Sequence, residues 1–150
     1  MGIKIIARNK RASFEHFLTE RCEAGIELRG TEVKSLRLGK ADITDAHVEI
    51  DTNGEAWLLN MRIPPYTFGN VHNHQEVRPR KLLLNRREIV KIIKAMDLDG
   101  LSIVPTSLYF KDSFVKIEIA LAKAKHLHDK RADTAKRDVE RRLRRGDEDV

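Results

Sequence analysis

The sequence predicts a mainly β domain with inserted helices, closed or nearly closed into a small barrel, followed by a basic C-terminal tail. Three observations carry that expectation. About six short stretches carry strand signals, several of them strictly alternating apolar and polar residues. Helix signals interrupt them at only two places. The last stretch, residues 126–150, is densely charged, and its apolar stripe is too narrow to join a core. A length of 150 residues suits one core plus an extension, so residues 1–125 are read as the barrel and 126–150 as the tail.

The elements follow in order. Ile3 to Ile6 is a short apolar patch, an edge strand or a disordered lead. Asn9-Lys10-Arg11-Ala12 is a polar, basic lead-in. Cys22, Ala24, Ile26 and Leu28 alternate with Glu23, Gly25, Glu27 and Arg29, as a half-buried strand does. Gly30 breaks that strand. Thr31 to Leu38 reads as a short helix with Thr31 as N-cap and Gly39 as its stop. Val33 and Leu36 would face the body, and Lys34 and Arg37 the solvent. Residues 43–51 and 55–63 read as strands around Asn53-Gly54, a strong hairpin signal. Pro64-Pro65 ends the second, and residues 66–79 read as a loop. Asn85 caps the best helix, Glu88 completes a capping box, and Gly100 stops it. Ile89, Ile92, Ile93 and Met96 form its inward stripe. Residues 101–104 and 108–110 read as strands. Lys111-Asp112-Ser113 turns the chain into a last strand, where Val115, Ile117, Ile119 and Leu121 alternate with polar or small residues. Strands joined by hairpins around a helix make an oligonucleotide-binding (OB) type closed barrel the leading architecture. The pattern does not fix the strand order.

Charge narrows the function. Lys and Arg number 29 against 23 Asp and Glu, giving a net +6 and a pI near 9.6. That is a mild nucleic-acid signal. The tail holds eight basic and seven acidic residues, and the body the other 21 and 16. Up to Arg145 the tail is +4; Asp147, Glu148 and Asp149 reverse its sign. Cys22 is the single cysteine, so no internal disulfide forms and a reducing compartment fits. Residues 2–10 carry too short an apolar run for a secretory signal, and no stretch approaches a membrane span. A cytoplasmic monomer with no membrane partner is expected.

Catalytic patterns are missing from the sequence. It has no phosphate-binding glycine loop and no Gly-x-Ser-x-Gly elbow. His72-x-His74 and His126-x-His128 are its histidine pairs, and a zinc site would need both to converge. Loop and tail histidines are the plainer reading. No enzyme activity, cofactor or metal is expected.

A basic surface is the stronger candidate. Asn9, Lys10, Arg11, Lys34, Arg37, Lys40, Arg78, Arg80, Lys81, Lys116, Lys123 and Lys125 could meet the phosphates and 2′-hydroxyls of a folded RNA. Glu32 is either an ion-pair partner or an acceptor for base-edge amino groups. Asn85 has the same double reading, helix cap or base contact. In the tail, Lys130, Arg137, Arg141 and Arg144 share one side of a helical wheel, and Ala132, Ala135, Val139 and Leu143 the other. Asp129 can cap such a helix. An isolated helix of this length is marginal in water, so disorder alone and helix on a partner are expected.

These residues together resemble the small protein B (SmpB) family, the bacterial partners of transfer-messenger RNA (tmRNA) in ribosome rescue. The resemblance covers nearly the whole chain. Asn9-Lys-Arg-Ala12 is similar to the family's opening motif, which Phe17 through Gly25 continues. Gly30-Thr-Glu-Val-Lys-Ser-Leu-Arg37 with Gly39-Lys40 is the most specific block. Arg80-Lys-Leu-Leu-Leu-Asn85, Ser107-Leu-Tyr-Phe-Lys111 and Asp129-Lys-Arg131 follow in the expected order. The resemblance implies an OB-type barrel that binds the tRNA-like domain of tmRNA, through positions matching Glu32, Leu83, Asn85, Lys116, Lys123 and Lys125. It implies a tail that enters the vacant decoding centre and messenger channel of the small ribosomal subunit and meets its rRNA. His128, Asp129, Lys130 and Arg131 match the positions tied to that step. Lys136 to Arg145, with Arg137, Arg141 and Arg144, would supply the helix that runs onward. The chain departs from the family at Ala124-Lys125-His126, where Gly-Lys-Lys is common. Two rival readings remain: a general structured-RNA-binding barrel of the translation-factor kind, and a small ribonuclease.

Overall fold

The computed structural model describes residues 2–66 and 73–125, without the side chains of residues 98 and 99. The tail residues His128 to Arg144, and His72, lie outside the described residues. The described chain runs β1 (Ile3–Arg8), α1 (Lys10–Glu15), β2 (His16–Ile26), α2 (Gly30–Arg37), β3 (His47–Ile50), β4 (Ala56–Leu59), β5 (Arg80–Leu83), α3 (Arg86–Asp99), β6 (Ser102–Lys111) and β7 (Phe114–Ala124). All the strands join one antiparallel sheet in the order β1-β6-β7-β2-β5-β4-β3.

Local chemistry explains where the elements depart from the sequence reading. The basic lead-in contains α1. The Asn9 side chain accepts from the Ala12 amide at 3.1 Å and donates to the Ile43 and Pro105 carbonyls at 3.2 and 3.0 Å. β2 starts at His16, ahead of the alternating run from Cys22, and a bulge between Thr19 and Cys22, where Glu20 takes φ +50°, breaks the alternation within it. Arg29, not Thr31, is the N-cap of α2. The Thr31 hydroxyl instead meets His74 Nδ1 at 2.8 Å. β6 is one strand, not two. It runs through Pro105, which sits at a register shift, one of the few places a sheet tolerates proline. The β3–β4 hairpin turns where expected, but its strands are shorter than the expected residues 43–51 and 55–63. Gly54 has φ +78°, and the Asp51 carboxylate accepts from the Asn53 and Glu55 amides and from Trp57 Nε1, each at 2.9 Å. Helix α3 keeps its full capping box, with Gly100 left-handed behind it.

The expected closed barrel is corrected. The sheet's edges are β1 and β3, and no ladder joins them among the described residues. β3 comes close to β6, but both edges of β6 are already taken, by β1 and by β7. The sheet therefore curls around its core without closing. Leu36, Ile43, Val48, Leu58, Met61, Ile63, Ile103, Leu108, Ile117 and Ile119 fill that core, all at most 2% exposed. Ile92 docks α3 on it. A smaller cluster of Ala12, Val104 and Ala122, with Leu18, seats α1 on the other face. Among the described residues, no helix is long and apolar enough to cross a membrane.

Candidate nucleic-acid interface

Register assembles the site. Leu83 of β5 lies opposite Gly25 of β2, and Gly25 lies opposite Lys116 of β7. The three positions therefore form one row across three neighbouring strands. Leu83 is 50% exposed. Gly25 leaves it room: a Cβ there would stand 3.3 Å from the Leu83 Cβ. A cleft of about 260 Å³ opens beside this row, lined also by Ile26, Leu28, Val33 and Phe114. Asn85, at the margin, accepts from the Glu88 amide at 2.9 Å, while Glu88 accepts from the Asn85 amide at 3.3 Å. Asn85 is thus a helix cap, and an exposed one.

Glu32 stands beneath α2, not on the surface. It is 0% exposed, and so is Arg80. Its carboxylate accepts from Arg80 Nε at 2.6 Å, from Arg78 Nε at 3.2 Å and Nη2 at 2.5 Å, and from the Arg29 amide at 2.7 Å. Arg80 also donates to the Met61 and Glu76 carbonyls, at 2.8 and 3.2 Å. Burial alone pushes the Glu32 carboxyl up. The hydrogen bonds from Arg78, the Arg29 amide and Arg80 outweigh it and hold the group below the usual carboxylate value. Of its two sequence readings, the geometry gives Glu32 the ion pair, because both oxygens are engaged and water is excluded. Arg80, read as surface charge, is corrected for the same reason. Asn9 is corrected too: it is 7% exposed and ties α1 to the body.

The remaining basic residues do not form one patch. Lys116 and Lys123 are seven residues apart on β7, roughly 23 Å at strand rise, and an odd separation puts them on opposite faces. Lys123 pairs with Phe17, and Lys125 Nζ sits 5.1 Å from the Phe17 ring centroid and 3.1 Å from the Ser13 carbonyl. Lys10 is exposed nearby on α1. Arg11 is held by Glu15 at 2.9 Å and Asp45 at 3.2 Å. On α2, Lys34 lies 5.6 Å from the Tyr66 ring centroid. Arg37 lines a second cavity of about 310 Å³ with Lys4, Phe110 and Ser113. Ser113 also lines the first cleft, so the two adjoin.

Sequence reasoning missed Phe114, which is 68% exposed at the β6–β7 turn. A signal was there. Phe114 shares strand parity with Lys116 and Glu118, and Leu83 with Lys81, so each is an apolar residue on a polar face. It also missed the exposed Arg86, Arg87, Lys91 and Lys94 of α3, of which Lys91 pairs with Glu20 at 2.5 Å.

Nothing in this arrangement builds a reacting centre from the described residues. His74 is buried; its Nε2 donates to the Ile63 carbonyl at 2.9 Å and its Nδ1 meets Thr31, so both nitrogens are engaged. Burial first, then Glu88, pushes the Cys22 thiol up to about 11, too high for a nucleophile near neutrality. What remains is an apolar, partly basic cleft suited to bases and phosphates.

Comparison with known proteins identifies the family. The family model described as "SmpB protein" matches residues 6–148. The chain is 51% identical over 143 residues to the SsrA-binding protein of Pelobacter propionicus, covering 95% of this chain and 93% of that protein. It is 49% identical over 140 residues to the SsrA-binding protein of Carboxydothermus hydrogenoformans, covering 93% of each. A solved chain from the structure "tmRNA-SmpB: a journey to the center of the bacterial ribosome" superposes with a TM-score of 0.67 at 38% identity, covering 81% of this chain and 85% of that one. With a family model spanning nearly its whole length and relatives sharing half of its residues, this chain belongs to the SmpB family.

Proposed function

We propose that this chain binds tmRNA, the SsrA RNA, and brings it to stalled ribosomes so that trans-translation can tag the unfinished product. The observation that carries the reading is the row Leu83–Gly25–Lys116 with Asn85 at its margin, gathered by register from three strands in a chain whose relatives are SsrA-binding proteins. The tRNA-like domain of tmRNA docks on this face. Lys116 and Arg37 meet its phosphates, and Asn85 its base edges. Lys34 flanks the same side. Lys10, Arg11, Lys123 and Lys125 form a separate basic margin near α1. Asn9 and Glu32 act from inside, by fixing α1 and α2.

The tail, residues 126–150, supplies the contact with the ribosome. His128 to Arg131 set it at the decoding centre. Lys136, Arg137, Arg141 and Arg144 pair with small-subunit rRNA along the vacant messenger channel. A full messenger would fill that space, so the tail senses absence by competition. The protein works in the cytoplasm by binding, without catalysis or cofactor. Ending the chain at Leu127 tests this division. The shortened protein should bind tmRNA normally and fail to support tagging on ribosomes stalled at a messenger's end. Normal tagging without the tail would refute it.

A further inference from the structure

The cleft beside Gly25 has a chemistry that the docking row alone does not use. Phe114 is 68% exposed and Leu83 50% exposed, and Val33 of α2 lines the same cleft. Large apolar side chains gathered at a surface cleft and rimmed by charge mark an interaction site. The flanking charge is positive. Lys116 lines the cleft itself, and Arg37 and Lys4 line the adjoining cavity across Ser113. Asp112 is the acid in that second cavity, and its carboxylate accepts from the Gly2 amide at 3.3 Å. An apolar slot next to a cationic one matches a single nucleotide: a flat base and the phosphate beside it. A purely apolar protein side chain would use the first slot and gain nothing from the second.

We propose that the cleft takes one unstacked nucleobase of the bound RNA, with Phe114 stacking on its face and Leu83 and Val33 closing the opposite wall, while Arg37 and Lys4 hold the adjacent phosphate. This rests on the RNA-binding reading above. Phe114 is then a recognition residue, and the partner must present a base that is not paired within a helix, since A-form stems keep their bases stacked.

The test uses the full chain and the tRNA-like domain of tmRNA. Circular dichroism first checks that each variant is folded. Stacking of one base predicts that Phe114→Ala weakens binding about 5- to 140-fold, with the salt dependence of binding unchanged. Phe114→Trp, made on a Trp57→Phe background, should keep the affinity and lose emission when RNA is added. Lys116→Ala should instead lower the salt slope by about one. If Phe114→Ala binds like wild type and Phe114→Trp emission does not change, while Lys116→Ala is weakened, the base cleft is wrong and the docking face stands. If Lys116→Ala and Arg37→Ala are also without effect, the docking face falls with it.

Discussion

Glu32→Gln is the sharpest probe of what holds the docking face together. The substitution keeps size and one acceptor but removes the charge that faces two guanidinium groups. Arg78 is 19% exposed and can turn to water. Arg80 is 0% exposed and cannot. Its bonds to the Met61 and Glu76 carbonyls survive, yet its charge loses its counter-ion. Leaving one buried charge of a pair uncompensated costs about 3–5 kcal/mol, and the acceptor kept by Gln places this case near the lower figure. A domain of this size has roughly 5–15 kcal/mol in all, so the loss is large but leaves a folded protein. Urea unfolding followed by circular dichroism reads it directly. With a slope of about 1.5 kcal/mol per molar urea, a loss of about 3 kcal/mol lowers the midpoint by about 2 M. Glu32→Leu combined with Arg80→Met should recover most of that loss, since an apolar pair can replace a buried ion pair. A loss below about 1 kcal/mol for Glu32→Gln, or no recovery in the double variant, refutes the buried-pair reasoning. Glu32→Arg would place three guanidinium groups together under α2 and should unfold the chain, not merely weaken RNA binding.

Other outcomes follow from the same geometry. The Glu32 carboxyl is held below its ordinary value, so its stabilisation is full above the unfolded carboxylate pKa, about 4.3, and is lost as pH falls through the folded value. Urea midpoints should therefore be level from neutral pH to about 5 and drop below it, and Glu32→Gln should flatten that drop; an equal drop in both proteins assigns it to other carboxylates. Asn85→Ala removes an N-cap and should cost about 1 kcal/mol. Asn85→Asp keeps the cap and the stability but should weaken tmRNA binding by adding negative charge at the docking face. Unaltered affinity for Asn85→Asp would leave Asn85 a cap only. Lys116→Glu should reduce tmRNA affinity more than tenfold with the midpoint unchanged, and a gel shift equal to wild type would remove Lys116 from the interface.

Much of this was legible in the residues. The Asn85–Glu88 box, the Asn53-Gly54 hairpin and the alternation of Val115 to Leu121 are local signals, and each appears in the fold where the sequence places it. What was not legible depended on pairing between distant segments. The Glu20 bulge hides the first half of β2 from any periodicity. Pro105 splits β6 in the sequence but not in the sheet. The open sheet follows from β1 covering an edge of β6, which no local pattern announces. In the site, Glu32 could be read as an ion-pair partner, but its burial and the identity of its partners could not, because Arg78 and Arg80 are more than forty positions away. The split between Lys116 and Lys123 was readable from strand parity alone, and so was Phe114 on the polar face.

Competition binding tests the central claim most directly. The intact chain would be mixed with labelled tmRNA and challenged with a large excess of bulk tRNA. A tmRNA-specific docking face predicts that the complex survives bulk tRNA and is displaced by unlabelled tmRNA. Equal displacement by both RNAs would contradict it, and would make the chain a general binder of structured RNA.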